Sequence, residues 1–97
     1  PGASASVEEL SLFSGITTYP NPTSGYFAIE LTAKTESATQ FDILNLAGQV
    51  LSSNTQNLMA GKNKVDFDAS SLTEGVYLVR MTEINSGVSQ IIRFVKK

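Results

Sequence analysis

Turn-forming residues divide the chain into short runs, and this spacing constrains the fold more than any other feature. Gly, Pro and Asn recur about every dozen residues, and the runs between them are rich in residues that favour β-strands. A helical period of useful length is absent, apart from the short candidate VEELSLF at 7–13. The sequence therefore predicts an all-β protein of about seven strands. The predicted strands span 12–18, 26–32, 39–45, 49–56, 63–68, 75–83 and 88–95.

The pattern inside these runs indicates how the strands are buried. Phe27, Ile29 and Leu31 alternate with more polar positions, as expected for a strand with one face in the core. The run VYLVRM at 76–81 is apolar on both faces over part of its length, which favours a central position in a sheet. Because 97 residues can bury a single core, we expect one immunoglobulin-like antiparallel β-sandwich.

Two of the turns have clear sequence signals. Asn45 opens a turn, and Gly48 supplies the positive φ with which the chain reverses. The stretch YPNPTSG at 19–25 is stiffer, because a residue that precedes proline is driven toward extended geometry. Pro22 then starts a turn, and Gly25 releases the chain into the next strand. We expect this stretch to fix the entry into that strand and to reduce the entropy lost on folding.

Composition and charge exclude several classes of function. The net charge is −2, and the few basic residues are not interleaved with aromatic ones, so no nucleic-acid partner is expected. The longest apolar run, at 76–79, is far too short for membrane insertion. The opening residues lack the basic and apolar segments of a signal peptide. We therefore interpret the chain as a domain of a longer protein.

Catalysis and metal binding have little support. Serine and threonine are abundant, but the chain has no histidine to serve as their base, so no enzyme is expected. Asp66 and Asp68, joined by Glu74, weakly suggest a calcium site, although no loop resembles an EF-hand. The simpler interpretation is that two strand carboxylates one alternation apart both face water. No cofactor is predicted.

Aromatic and basic residues suggest two further surfaces. Tyr19, Tyr26 and Tyr77 could form a stacking platform for a sugar, but Tyr77 is better explained as a core residue with its hydroxyl satisfied at an edge. The terminal RFVKK is the one local basic cluster, whereas residues 1–33 hold three glutamates and no base. This cluster is typical of an edge strand protected by charge. The residues alone thus indicate an all-β domain that binds or displays something.

Four motifs in a fixed order resemble those of one family. They read YPNPTSGYFAIEL, FDILNLAGQVL, LMAGKNKVDFDASSLTEGVYLVRM and QIIRFVKK. Together they resemble the type A C-terminal sorting domain of the type IX secretion system, over about residues 16–97. Residues 1–15 are then interpreted as a linker that includes or adjoins the cleavage region.

The resemblance implies a route for a cargo protein. In this family an immunoglobulin-like sandwich follows an N-terminal cargo domain, in Gram-negative bacteria that carry the machinery. The cargo enters the periplasm, and the sandwich directs it across the outer membrane with the help of shuttle and sortase proteins. The sortase commonly removes the sandwich, and the cargo is joined to lipopolysaccharide on the cell surface or released.

The resemblance also implies roles for individual residues. Those expected mainly to shape the fold are Pro20, Asn21, Pro22, Gly25, Asn45, Gly48, Gly61, Asn63, Leu72, Gly75 and Tyr77. Those expected to carry recognition by the machinery are Ile92, Phe94, Val95, Lys96 and Lys97. The terminal edge strand is expected to pair with another protein by strand addition, with exposed lysines to orient it.

Two other functions remain as alternatives. An accessory carbohydrate-binding or adhesive module of a surface protein would need an aromatic platform or a metal loop, and the sequence shows neither plainly. A structural spacer would show neither saturable glycan binding nor loss of export when the last strand is removed.

Overall fold

Seven strands account for most of the chain in a computed structural model, which describes residues 13–97. The strands are β1 (Phe13–Tyr19), β2 (Tyr26–Ala33), β3 (Ser37–Leu44), β4 (Val50–Leu58), β5 (Gly61–Asp68), β6 (Gly75–Glu83) and β7 (Ser89–Lys96). Most of the predicted linker at 1–15 and of the candidate helix at 7–13 lies outside the described residues. No helix among residues 13–97 is long and apolar enough to cross a membrane.

The strands form two sheets that make a sandwich. One sheet has the order β1-β2-β5 and the other the order β4-β3-β6-β7, and all these neighbours are antiparallel. The predicted all-β, immunoglobulin-like sandwich is confirmed, and each predicted strand lies within two residues of its observed bounds. β6 lies between β3 and β7, so the central position expected for VYLVRM is confirmed.

A row of aromatic rings joins the two sheets through the core. Phe27 of β2 stacks on Phe67 of β5 at 5.1 Å between ring centroids and on Phe94 of β7 at 4.4 Å. Phe94 in turn stacks on Tyr77 of β6 at 5.6 Å, and Phe41 of β3 meets the edge of Phe67 at 5.5 Å. Each such contact adds to the free energy gained by burying apolar area. The terminal strand thus contributes a ring to the middle of the core.

The four-stranded sheet also holds a charged pair on its outer surface. Asp42 of β3 is 2% exposed, and its carboxylate accepts hydrogen bonds from Gln40 at 2.9 Å, Ser53 at 2.5 Å and Arg80 at 3.0 Å. Burial by itself raises the pKa of Asp42, but the three hydrogen bonds and the charge of Arg80 outweigh it and hold the pKa below its usual value. The carboxylate is therefore ionised and paired in the folded protein.

Removal of the ring at position 94 is expected to destabilise the domain strongly. Phe94→Ala leaves a cavity against two stacked rings and should lower the free energy of unfolding by about 3–5 kcal/mol. Ile91→Ala on the same strand is the control, because Ile91 is 58% exposed and its loss should cost less than about 0.5 kcal/mol. Urea denaturation followed by circular dichroism measures both. Equal losses would contradict the assignment of β7 to the core.

The pair at Asp42 predicts a specific dependence of stability on pH. Because the folded pKa is depressed, the stabilisation is present above the unfolded aspartate pKa of about 4 and is lost as pH falls through the folded pKa. Asp42→Asn should lower the free energy of unfolding by about 1–3 kcal/mol at pH 7 and by less at pH 2.5. Urea denaturation of both proteins across this range measures the difference. A difference that does not change with pH would contradict the assignment.

Candidate recognition surface at the terminal strand

The terminal strand β7 lies at one edge of the four-stranded sheet, as predicted. Its side chains alternate, as in any strand. Phe94 is fully buried and Ile92 packs against the core, whereas Ile91 and Arg93 are exposed on the outer surface. One face of β7 therefore belongs to the core and the other faces solvent.

The outer edge of β7 is closed by residues 21–23, here termed the clasp. The Thr23 N–H donates to the Val95 carbonyl at 2.8 Å, and the Lys97 N–H donates to the Thr23 carbonyl at 2.8 Å. These two bonds form a parallel bridge between Thr23 and Lys96. The Asn21 side chain extends the closure, because its Oδ1 accepts from the Val95 N–H at 2.9 Å and its Nδ2 donates to the Arg93 carbonyl at 3.4 Å.

Local interactions hold the clasp in place. Thr23 is fully buried, its hydroxyl donates to the Tyr26 carbonyl at 2.7 Å, and the same oxygen accepts from the Gly25 N–H at 3.1 Å. The Gly25 carbonyl accepts from the Ala69 N–H at 2.9 Å. Pro22 has no N–H that would need a partner here. The stretch thus leaves β1 in one sheet and reaches the edge of the other.

This contact is a structural feature that sequence reasoning missed. The prolines around Asn21 were interpreted as a device for entry into β2, and the segment does lead there. The Asn21 side chain, however, hydrogen-bonds to Arg93 and Val95, which lie more than 70 positions away in the chain. The sequence signal for this contact was an asparagine between two prolines. Because proline has no backbone N–H, the side-chain amide of Asn21 is the main hydrogen-bond donor in this stretch.

The expectation that both terminal lysines are exposed is wrong. Lys96 is 8% exposed, and its ammonium donates to the Lys97 carbonyl at 3.2 Å, so only Lys97 is an exposed lysine here. Both backbone groups of Val95 already have partners in the clasp, so strand addition to β7 stays a prediction that concerns the part of the strand before it. The physical reason is that buried or edge backbone groups are rarely left unpaired when a local partner is available.

The five predicted recognition residues are therefore not equally accessible. Lys97 is exposed, and Val95 and Ile92 are half-buried. Phe94 and Lys96 are buried, so they support the surface in the folded domain. A contact between any of these residues and the secretion machinery stays a prediction.

The central turn has the predicted form. Asn45 Oδ1 accepts from the N–H of Ala47 at 3.0 Å and from that of Gln49 at 2.9 Å. Gly48 has φ +89°, which an L side chain rarely adopts. The asparagine thus closes the turn through its side chain and needs no charge to do so.

The later motif residues also shape turns and packing. Asn63 accepts from the Met59 N–H at 2.9 Å and donates to the Met59 carbonyl at 2.8 Å, across a turn in which Gly61 has φ +101°. Leu72 packs against the core. Gly75 begins β6, two residues before Tyr77. Asn63, Gly61 and Leu72 thus support turns and core packing, whereas Gly75 pairs with Lys96, which bridges to Thr23 of the clasp.

The tyrosines divide between core and surface. Tyr77 is 8% exposed, and its hydroxyl donates to the Thr73 carbonyl at 2.7 Å, which confirms its predicted place. Tyr19 and Tyr26 line one shallow depression of about 420 Å³ on the outer surface of the three-stranded sheet. The hydrogen bond from Tyr19 to Glu30, at 2.5 Å, raises the pKa of Tyr19, and burial and nearby carboxylates act in the same direction. The depression therefore carries two rings, not three.

The acidic residues of β5 do not assemble a metal centre. Asp66 and Asp68 are both exposed, and Asp68 accepts a hydrogen bond from the Ser70 N–H at 2.9 Å. The hydrogen bonds of Ser70 lower the pKa of Asp68 against a smaller opposing effect of burial. Within residues 13–97, no group of three or more acidic side chains is arranged to hold a metal ion.

A model of the family described as "Secretion system C-terminal sorting domain" matches residues 17–97. The chain belongs to this family. It is thus a type IX secretion C-terminal sorting domain, and its place in a cargo protein implies recognition by that machinery and export to the cell surface or the medium. The family is not an enzyme family.

The sorting domain also resembles part of a solved enzyme structure. That enzyme is a GH3 beta-glucosidase from Bifidobacterium adolescentis, with 11% sequence identity and a TM-score of 0.49. The match covers 87% of the 97-residue chain and 16% of the enzyme chain. A likeness of this size carries no argument about function. No curated protein matches the chain.

The clasp predicts unusual protection of the terminal amides. Asn21→Ala removes the acceptor of the Val95 N–H, so hydrogen exchange at Val95 should accelerate by about ten-fold, the equivalent of one net hydrogen bond. Asn85→Ala, at an exposed turn position, is the control and should leave Val95 unchanged. Amide exchange followed by NMR measures both. Unaltered exchange in Asn21→Ala would show that Asn21 does not hold the edge.

Proposed function

We propose that the type IX machinery reads this sorting domain as a folded surface built from the clasp and β7 together. The observation that carries the proposal is the contact between two family motifs, since Asn21 and Val95 are joined across 74 positions of the chain. Deletion of either motif then alters the same surface. The motifs in between maintain the sandwich that brings these two together.

The exposed residues of this surface define how partners meet it. Pro20 and Pro22 project from the clasp side, and Arg93 and Lys97 project from the strand side. Rigid apolar rings beside two positive charges suit a partner with an apolar groove and acidic residues at its rim. We assign this contact to the outer-membrane shuttle and the sortase of the machinery.

The pairing of the first described residue supports a limit on where the sortase cuts. Phe13 pairs with Ala33, and a backbone held in a sheet cannot be extended in a protease active site. We therefore assign cleavage by the surface sortase to residues 1–12 or upstream, within or before the linker of residues 1–15. The cargo passes through the periplasm, loses the domain of residues 16–97, and is attached to lipopolysaccharide or released.

The accessory carbohydrate-binding module is the second candidate, and one observation favours it. Tyr19 and Tyr26 share a depression with Asp66, and aromatic faces beside carboxylates are a common arrangement for neutral sugars. Saturable binding on a glycan array that Tyr26→Ala abolishes would support this module. Loss of export on truncation would not follow from it.

An export assay tests the proposed function directly. A periplasm-directed fluorescent protein with residues 1–97 at its C-terminus is expressed in a host that carries the machinery, beside a version that ends at Gln90. We expect the complete fusion outside the cell, reduced by the mass of the domain, and the truncated fusion retained in the periplasm. Asn21→Ala should lower export at least about ten-fold, and Asn85→Ala should not.

The outcomes separate the parts of the proposal. Export of the truncated fusion would overturn the role of β7. Normal export of Asn21→Ala would show that β7 is the signal and that the clasp is not part of it. Export of the fusion at full size, without loss of the domain's mass, would contradict the proposed cleavage but not the role of the domain in export. A thermal melt of each purified domain shows whether a loss reflects recognition or unfolding.

A further inference from the structure

Three of the four sheet edges formed by residues 13–97 carry features that oppose pairing with another chain. β7 is closed by the clasp. β1 has an irregular register between Ser14 and Thr17 and leads into Pro20. β5 carries charges at alternate positions from Lys62 to Asp68. Closure, bulges, prolines and charges are the devices by which proteins keep sheet edges from associating.

The fourth edge, β4, has none of these devices along its middle. It spans Val50–Leu58, and it contains neither a charged residue nor a proline. Its one irregularity lies at its start, opposite Ile43 and Leu44. Residues 50–55 are all exposed, so neither face of this part is covered by the other sheet. A strand that is uncharged and exposed on both faces and one edge is a template for strand pairing.

The free backbone groups of β4 can be identified from its pairing with β3. The Ala38 carbonyl accepts from Ile84, on the side of β6, so Ala38 does not bond toward β4. Its partner in β4 is Asn57, whose backbone groups therefore point to the open edge. By alternation the same holds for Ser53 and Thr55, whereas Leu51 is the extra residue of the irregularity and has no partner in β3.

The run of free backbone groups on β4 ends before Met59, because Asn63 binds that residue. Asn63 binds both the N–H and the carbonyl of Met59, so Met59 is not available to a further strand. The free groups thus run from Ser53 to Asn57 and are centred on Thr55. Because these donors and acceptors are placed symmetrically about the centre, two antiparallel copies of the strand can hydrogen-bond to each other.

We propose that β4 pairs antiparallel with β4 of a second copy, about a two-fold axis at Thr55. Thr55 then lies opposite its own copy, and Ser53 lies opposite Asn57, so every free donor and acceptor from Ser53 to Asn57 finds a partner. The strand has no charge to repel its copy, and the net charge of the chain is only −2. Two four-stranded sheets become one continuous sheet.

A second copy suits this edge better than a foreign peptide. Strand addition gains sequence specificity from pockets that receive alternate side chains, and the stretch SSNTQN offers small polar side chains on both faces instead. Identical strands need no such pockets, because hydroxyl and amide side chains across a two-fold axis are matched by symmetry. The clasp lies at the opposite edge of the sheet, so pairing leaves both recognition surfaces free.

A cysteine at the axis tests this geometry. The chain has no cysteine, so Thr55→Cys introduces the single thiol of each copy. Residues that face each other in a hydrogen-bonded antiparallel pair have Cα atoms about 5.5 Å apart, within disulfide range. Mild oxidation of the full chain should give a covalent dimer for Thr55→Cys and little for Lys64→Cys on the charged edge. Equal cross-linking of the two would overturn the proposal.

Charge variants test the pairing without a covalent bond. The variants Thr55→Lys and Thr55→Glu each place like charges directly opposite at the axis, so each alone should associate at least about ten-fold more weakly than the natural chain. An equimolar mixture should form a heterodimer. Sedimentation from about 10 µM to about 1 mM measures all three, and circular dichroism checks the fold. A natural chain that stays monomeric over this range, or a mixture that does not associate, overturns the proposal.

Discussion

Backbone groups at the edge of a sheet need partners, and the way in which the terminal strand obtains them governs the rest of this structure. The carbonyl and the N–H of Val95 are both bound by the clasp. To reach them, the chain must leave β1 in one sheet and cross to the other before it enters β2. Two sheets that otherwise meet through side chains are thereby joined by backbone hydrogen bonds. The hydrogen-bonding requirement of one strand thus determines the path of a distant loop.

The four-stranded sheet consequently has two edges of opposite character. At β7, a side-chain amide and a buried threonine complete the hydrogen bonding, and the basic terminus lies beside them. At β4, polar uncharged residues leave the backbone open. Within the sheet, Asp42 and Arg80 tie β3 to β6 between these edges. These two edges differ in which backbone and side-chain groups a partner can reach.

The features that could be predicted from the sequence are those that short stretches determine. Alternation located the strands, the apolar run at 76–81 placed β6 centrally, and Asn45 with Gly48 defined the central turn, because each depends on neighbouring residues. The burial of Asp42 was not predictable in this way, since its partners come from three strands. The clasp was not predictable either, because it joins residues brought together only by the complete topology. Lys96 misled for a related reason: a charged residue near a terminus is usually exposed, and here the neighbouring packing covers it.

The position of Phe94 has a consequence for the order of events in the cell. A ribosome releases β7 after every other described strand, yet this strand supplies the ring that stacks on both Phe27 and Tyr77. A polypeptide that stops before β7 lacks that ring, and its clasp has nothing to bind. The core and the clasp can therefore be completed only after the whole chain upstream of β7 has been translated. A prematurely terminated cargo cannot form the surface made by the clasp and β7.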